Sequence, residues 1–215
     1  MQIRTKTRCD MTIDFWFEFA STYSYPAAMR IEALAAERNV RVRWNAFLLG
    51  PIFGSQGWND SPFNIYPSKG RYMWRDLERI CTAQDIPLRH PSQFPRNGLL
   101  AARVACCFSD EPWLPDFVRA VYQANFAEDA DVSDPKVISR CLASSGEDPG
   151  DLLQEAQSPA SKERLRHQVD FATSLGIFGA PSFIVGEELF WGNDRLEDAL
   201  TWAQQQVGQD RSERE

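Results

Sequence analysis

Residues 12–19 (Thr-Ile-Asp-Phe-Trp-Phe-Glu-Phe) alternate and then run apolar with heavy aromatic weight, the pattern of a buried strand. Tyr25 to Asn39 places Ala27, Ile31, Leu34 and Ala35 on one helical face, with Pro26 tolerable only in a first turn. Residues 40–47 (Val-Arg-Val-Arg-Trp-Asn-Ala-Phe) alternate again with period two and read as the next strand. Strand, helix and strand in that order predict a right-handed crossover and a parallel pair.

Beyond Leu48 the strand signal fades until about Ser158. Gly50 to Ser68 is rich in Gly, Pro, Asn and Ser and reads as one long loop, a kind that is functional or disordered in compact domains. Phe53, Trp58, Phe63, Ile65 and Tyr66 make it too aromatic for disorder. Helical patterns occupy 70–84, 97–109, 112–126, 135–145 and 148–156, with Pro87, Pro91 and Pro95 between the first two. Ser158 to Leu175 predicts a long amphipathic helix, with Pro159 in its first turn and Gly176 at its stop. Two short apolar runs, Ser182–Val185 and Leu189–Trp191, flank Gly186 and predict a β-hairpin. Asn193 or Asp194 is expected to cap a last helix reaching about Gln206.

The fold class is therefore α/β: a thioredoxin-like fold with a large all-helical insertion. Its thioredoxin-like parts are 11–48 and 158–207, and the insertion is 49–157. Residues 1–10 read as a loose leader or a start misassigned from Met11, and 208–215 as a flexible charged tail. No long apolar run follows the basic N-terminus, so a signal peptide is not expected.

Composition narrows the function classes. The chain has 215 residues, 43% hydrophobic and 25% charged, the balance of a soluble globular enzyme. A net charge of −7 argues against a general nucleic-acid or anionic-membrane binder. No stretch approaches the ~20 apolar residues of a membrane span. Cys9, Cys81, Cys106, Cys107 and Cys141 are odd in number, irregular in spacing and contain no Cys-x-x-Cys, so a disulfide framework is not expected. With only His90 and His167, to which no role falls, no metal site is expected either. Buried free thiols in a cytoplasmic protein are the expectation.

Where a thioredoxin-like redox protein carries Cys-x-x-Cys, after the first strand, this chain reads Ser21-Thr22-Tyr23-Ser24. The N–H groups at a helix start stabilise an anion such as a thiolate, and a Ser21 hydroxyl adds one donor. Serine forms no disulfide, so a self-contained disulfide oxidoreductase is excluded. Helix capping by Ser21 or Ser24 accounts for the same residues with no ligand.

Ala180-Pro181 leads into the hairpin. Thioredoxin-like folds place a cis-proline loop at this point, yet most X-Pro bonds are trans and the dipeptide alone leaves the isomer open; a cis bond would offer main-chain groups of Ala180 to an extended ligand. Trp191-Gly192-Asn193-Asp194-Arg195 opens the last helix. Amides there suit a carboxylate and Asp194 an ammonium, while capping plus a surface ion pair fits equally. Lys69 and Arg71 stand at a helix start, where cations are unfavourable, which points to an anionic partner or to a solvated charge run.

The stretches 14–25, 47–50, 66–69, 176–183 and 189–196 together resemble the 2-hydroxychromene-2-carboxylate isomerase family, close to the kappa-class glutathione transferases of the thioredoxin superfamily. Thr22 departs from the proline the family often has there, and the loop Gly57 to Phe63 departs from its Gly-Asn type. The resemblance implies glutathione as a borrowed thiol. Ser21 would be catalytic and bond the sulfur, Ala180 and Pro181 would hold the cysteinyl part, and Trp191, Gly192, Asn193, Asp194 and Arg195 the γ-glutamyl end. Asn59, Asp60 and Lys69 would lie near a second, aromatic or conjugated substrate. A cytoplasmic, homodimeric, glutathione-dependent isomerase is the implied activity. A kappa-like transferase making stable conjugates and a non-catalytic thioredoxin-fold binding protein are the alternatives.

Overall fold

The computed structural model describes residues 11–212, and the leader assigned to 1–10, Cys9 included, lies outside them. The chain begins with β1 (Thr12–Phe17), α1 (Ser24–Glu37) and β2 (Arg41–Ala46). Helices α2 (Leu49–Ser55), α3 (Pro62–Ile65), α4 (Pro67–Ala83), α5 (Leu99–Cys107), α6 (Leu114–Phe126), α7 (Pro135–Ser144) and α8 (Pro149–Ala156) follow. The chain closes with α9 (Pro159–Ser174), β3 (Ser182–Val185), β4 (Glu188–Trp191), a 3-10 turn (Asn193–Arg195) and α10 (Leu196–Ser212).

The strands form one mixed sheet in the order β2-β1-β3-β4. β1 runs parallel to β2, with Phe15 opposite Trp44, and antiparallel to β3, with Trp16 opposite Ser182. Period-two alternation sorts β1 between two cores. Ile13, Phe15 and Phe17 face a large cluster shared with α1, α6 and α10. Trp16 faces a smaller one with Phe47, Ile52, Val169, Ala172 and Ile184. Both faces of the sheet are thus covered, which is why its central strands are almost continuously apolar.

The large core runs without a break from the sheet into helices α4 to α8. Phe17 and Phe19 pack on the Tyr122 ring of α6 at 6.3 and 5.4 Å between centroids. Tyr25 of α1 stacks on Phe126 at 5.4 Å. The end of β1 and the start of α1 are therefore anchored on α6, and the segment between them is where Ser21 lies. Burying aromatic side chains of this size is worth roughly 2–3 kcal/mol each.

Three expectations need correction. The segment 50–68 is not one loop, since it contains α2, α3 and the start of α4. Its apparent breakers are helix-start residues: Ser61 accepts a hydrogen bond from Phe63 N at 3.3 Å, and Pro62 and Pro67 stand in first turns. The last helix does not stop near Gln206 but runs to Ser212, within the stretch assigned to a tail. Neither Asn193 nor Asp194 caps it; Gly192 precedes the 3-10 turn, with φ +112° and no side-chain cap. An alanine Cβ at Gly192 would also lie 2.5 Å from Asp194 Oδ1, so glycine is required there.

Among the described cysteines, Cys81, Cys106 and Cys141 are buried and Cys107 half-buried, all free. Burial pushes the first three thiols up to about 11, which keeps them protonated and inert. No helix among the described residues is long and apolar enough to cross a membrane.

Candidate active site

Antiparallel pairing of β1 with β3 carries the residues after Phe17 and those before Ser182 to the same end of the sheet. There the Ser21 hydroxyl donates to Ala180 O at 2.9 Å, across 159 residues of chain. Ser21 Oγ also accepts from Ser24 N at 3.3 Å at the start of α1. The capping expectation and the ligand-seat expectation thus describe one oxygen. No described hydrogen bond uses the main-chain N–H of Thr22 or Tyr23, and no acidic side chain occupies the first turn of α1. Unpaired amides at a helix start attract an anion. Ser24 is the buried first residue of α1 rather than part of this opening.

The Ala180–Pro181 bond is cis, an isomer the dipeptide alone leaves open. Its surroundings, which the dipeptide does not contain, hold both flanking carbonyls: Ser21 Oγ bonds Ala180 O and Gly192 N bonds Pro181 O at 3.0 Å. Trp191 is half exposed at 52%, and its ring lies 4.9 Å from that of Phe178. A Cβ on Gly179 would run into the Trp191 indole nitrogen and come within 3.2 Å of Cδ1. Gly179 therefore lets the indole lie against the main chain just before Ala180. Gly179→Ala should move the indole N–H resonance of Trp191, assigned with Trp191→Phe. Gly54→Ala, where a Cβ meets nothing within 4 Å, should leave it in place.

The remaining expected site residues divide. Asn193 is buried, and its Oδ1 accepts from Arg30 of α1 at 3.1 Å, so that atom is already committed to holding the 3-10 turn on α1. Asp194 and Arg195 are exposed and pair with each other at 3.2 Å, the arrangement of the ion-pair reading. Asp60 turns back on Ser61 N at 2.6 Å and on Asn64 at 3.1 Å, and so shapes α3. Asn59 and Lys69 are exposed, and the Lys69 ammonium lies 5.5 Å over the Tyr66 ring. No described contact joins Asn59, Asp60 or Lys69 to Ser21. The connection runs instead through Tyr23, which donates to Asp76 of α4 at 2.9 Å and meets Phe63 of α3 at 6.3 Å. Burial, and then Asp76, push the Tyr23 phenol well above its ordinary range, so it remains a donor.

Sequence reasoning missed the support beneath Ser21. Ser21 N donates to Glu18 O at 2.9 Å, and Ala20 N donates to Glu18 Oε2 at 3.0 Å. Tyr122 donates to Glu18 O at 2.9 Å, and Asn125 donates to Phe19 O at 3.2 Å. The buried Arg96 guanidinium donates to Asn125 Oδ1 at 3.2 Å and forms an ion pair with Asp129. One signal was available, namely a glutamate inside the run Phe15-Trp16-Phe17-Glu18-Phe19. Hollows of 540 Å³ near Leu153 and 440 Å³ beside β2 and Ser109–Pro115 contain none of these residues.

The DSBA-like thioredoxin domain model matches residues 12–201. The chain is 30% identical over 188 residues to the 2-hydroxychromene-2-carboxylate isomerase of Sphingobium xenophagum, covering 86% of this chain and 94% of that one. It is 25% identical over 204 residues to glutathione S-transferase kappa 1 of Homo sapiens, covering 86% and 88%. A solved structure of a 2-hydroxychromene-2-carboxylate isomerase superimposes with a TM-score of 0.80 at 27% identity, over 95% of this chain and 99% of that one. A serine at the helix start, its bond to the residue before a cis proline, and relatedness along nearly the whole chain converge: this chain is an enzyme of the DSBA-like thioredoxin domain family, and within it belongs to the 2-hydroxychromene-2-carboxylate isomerases.

Proposed function

We propose that the protein is a glutathione-dependent isomerase of an aromatic or conjugated carboxylate, with Ser21 as the catalytic hydroxyl. The observation that carries this reading is the Ser21 Oγ to Ala180 O contact of 2.9 Å beside the unpaired amides of Thr22 and Tyr23. Those residues fit a cysteinyl ligand: a hydroxyl and helix-start N–H groups for sulfur, and main-chain groups of Ala180 for an extended peptide. When bound, glutathione supplies a thiolate that adds reversibly to a conjugated carbon, leaving a rotatable single bond until it departs.

The chain's own residues do the rest. In the free protein the Ser21 hydroxyl donates to Ala180 O. Turning toward sulfur, the hydroxyl supplies a donor to the anion and releases Ala180 O to accept from the ligand's peptide N–H. Trp191, packed on Phe178, gives a flat apolar wall at this end, and the main-chain amides of Asn193 and Asp194, which follow Gly192, suit the γ-glutamyl carboxylate. Asp194 is the proposed partner of its ammonium, and Asn193, Pro181 and Arg195 frame that turn. Asn59, Asp60 and Lys69 are proposed on the side of the second substrate, reached through Tyr23, Phe63 and Asp76.

A cytoplasmic location belongs to the same reading, supported by the free cysteines. So does a homodimer, for which Phe171 and Leu175, exposed one turn apart at the end of α9, provide apolar surface; sedimentation velocity tests it. Similarity to glutathione S-transferase kappa 1 favours one second reading, formation of a stable conjugate.

Calorimetry with glutathione, followed by turnover of 2-hydroxychromene-2-carboxylate, tests the proposal. Binding in the micromolar to millimolar range, about −8 to −4 kcal/mol, is expected, with free glutathione unchanged after many turnovers. Conjugate accumulating in step with product would move the assignment to a transferase. No heat at millimolar glutathione would overturn the glutathione dependence.

A further inference from the structure

We propose that Glu18 is a proton-linked positioning residue: its carboxyl holds the turn that aims the Ser21 hydroxyl, and its charge state sets how readily that seat accepts an anion. The second half rests on the reading of Ser21 as a thiolate seat, and the first does not.

Glu18 and Arg96 are the charged residues in the buried set among those described, and they are treated differently by the fold. Arg96 has Asp129 as an ionic partner, whereas among the described residues the Glu18 carboxyl accepts hydrogen bonds from main-chain amides and has no cationic partner. Both ends of Glu18 work on the same turn. Oε2 accepts from Ala20 N at 3.0 Å, and the main-chain oxygen accepts from Ser21 N at 2.9 Å. Tyr122 then pins that oxygen from α6 at 2.9 Å. Nothing in the binding role proposed above uses the carboxyl.

The groups packed around it do not neutralise it. From α6 the titratable neighbour is Tyr122, which burial holds far above its ordinary range and therefore protonated. The Arg96–Asp129 pair is joined to the turn only through Asn125. Burial pushes the Glu18 carboxyl up to about 7, against the weaker downward pull of the Ala20 and Ser21 amides. Near neutrality the turn therefore exists with and without a buried negative charge.

The sign of the coupling follows from like charges. An ionised Glu18 close to the Ser21 seat opposes a thiolate there, and a protonated Glu18 does not. A bound thiolate reciprocally favours the proton on Glu18. The proton that a thiol loses and the one that Glu18 gains balance, with solvent as the carrier.

The test begins on the free protein. Carboxyl-carbon NMR of glutamate-labelled protein should show one glutamate with a midpoint near 7 that disappears in Glu18→Gln. The amide resonances of Ala20 and Ser21 should move with that same midpoint and be flat in Glu18→Gln. A midpoint in the ordinary range, or amides that ignore the Glu18 transition, overturns the proposal. With glutathione added, ultraviolet thiolate absorbance should show Glu18→Gln lowering the bound thiol's pKa by about one unit, the size expected when a nearby like charge is removed from a partly polarisable interior. An unchanged or raised value also overturns it. If glutathione does not bind, the thiol reading fails by itself, and the free-protein titration still decides the role of Glu18.

Discussion

Ser21→Ala should lower turnover near neutral pH by about 10- to 100-fold and raise the bound thiol's pKa by roughly one to two units. A hydrogen bond to an anion stabilises the charged form, so its removal makes the thiol harder to ionise. The loss should shrink as pH rises past the new thiol pKa, because the thiolate fraction then recovers without help. The same substitution removes the acceptor of Ser24 N and the donor to Ala180 O. Loss of a cap costs about 0.5–2 kcal/mol of stability, whatever the thiol does. The two consequences separate in a pH–rate profile measured beside a melting curve. A variant that melts earlier but keeps the wild-type profile would reduce Ser21 to a cap.

Glu18→Gln should stabilise the fold increasingly with pH. The ordinary glutamate value is 4.5, and burial raises the folded value to about 7. Between these the native state keeps a proton that the unfolded chain releases, so wild-type stability falls as pH rises through this window and levels off above it. At about 1.4 kcal/mol per pH unit the loss sums to roughly 3 kcal/mol. Glutamine keeps an oxygen for Ala20 N and carries no charge, so it has no such slope. Urea midpoints at several pH values give the difference directly, and any fixed cost of the amide group cancels in its slope. Parallel wild-type and variant curves between about pH 5 and 8, the span of this titration, would mean that Glu18 ionises freely.

The two predictions concern residues of unequal legibility. Ser21 stood out because a position that this fold gives to cysteine holds serine, a local fact of spacing after the first strand. Glu18 was visible only as a carboxylate among aromatics. Its meaning depends on Tyr122, 104 residues away in sequence, and on burial that the core of α6 creates. Likewise Asn193 looked like a ligand residue, yet Arg30 from α1 already occupies its oxygen. Periodicity says that Arg30 lies in a helix and Asn193 at a helix start, and nothing in it says that they touch.

The sequence by itself determined the elements and their order, because strand and helix impose periods of two and 3.6 on apolar positions. It therefore yielded the β-α-β opening, the closing hairpin and the serine pair. It failed at α2 and α3, which are too short to show a period and contain the glycines, prolines and serines that also mark loops. Only the tertiary structure decided that Ser21 faces Ala180, that the proline bond is cis, and that Glu18 is buried with no counter-ion among the described residues. Each of those is fixed by antiparallel register between β1 and β3 or by packing against α6, long-range contacts whose strength lies in burial rather than in any local pattern.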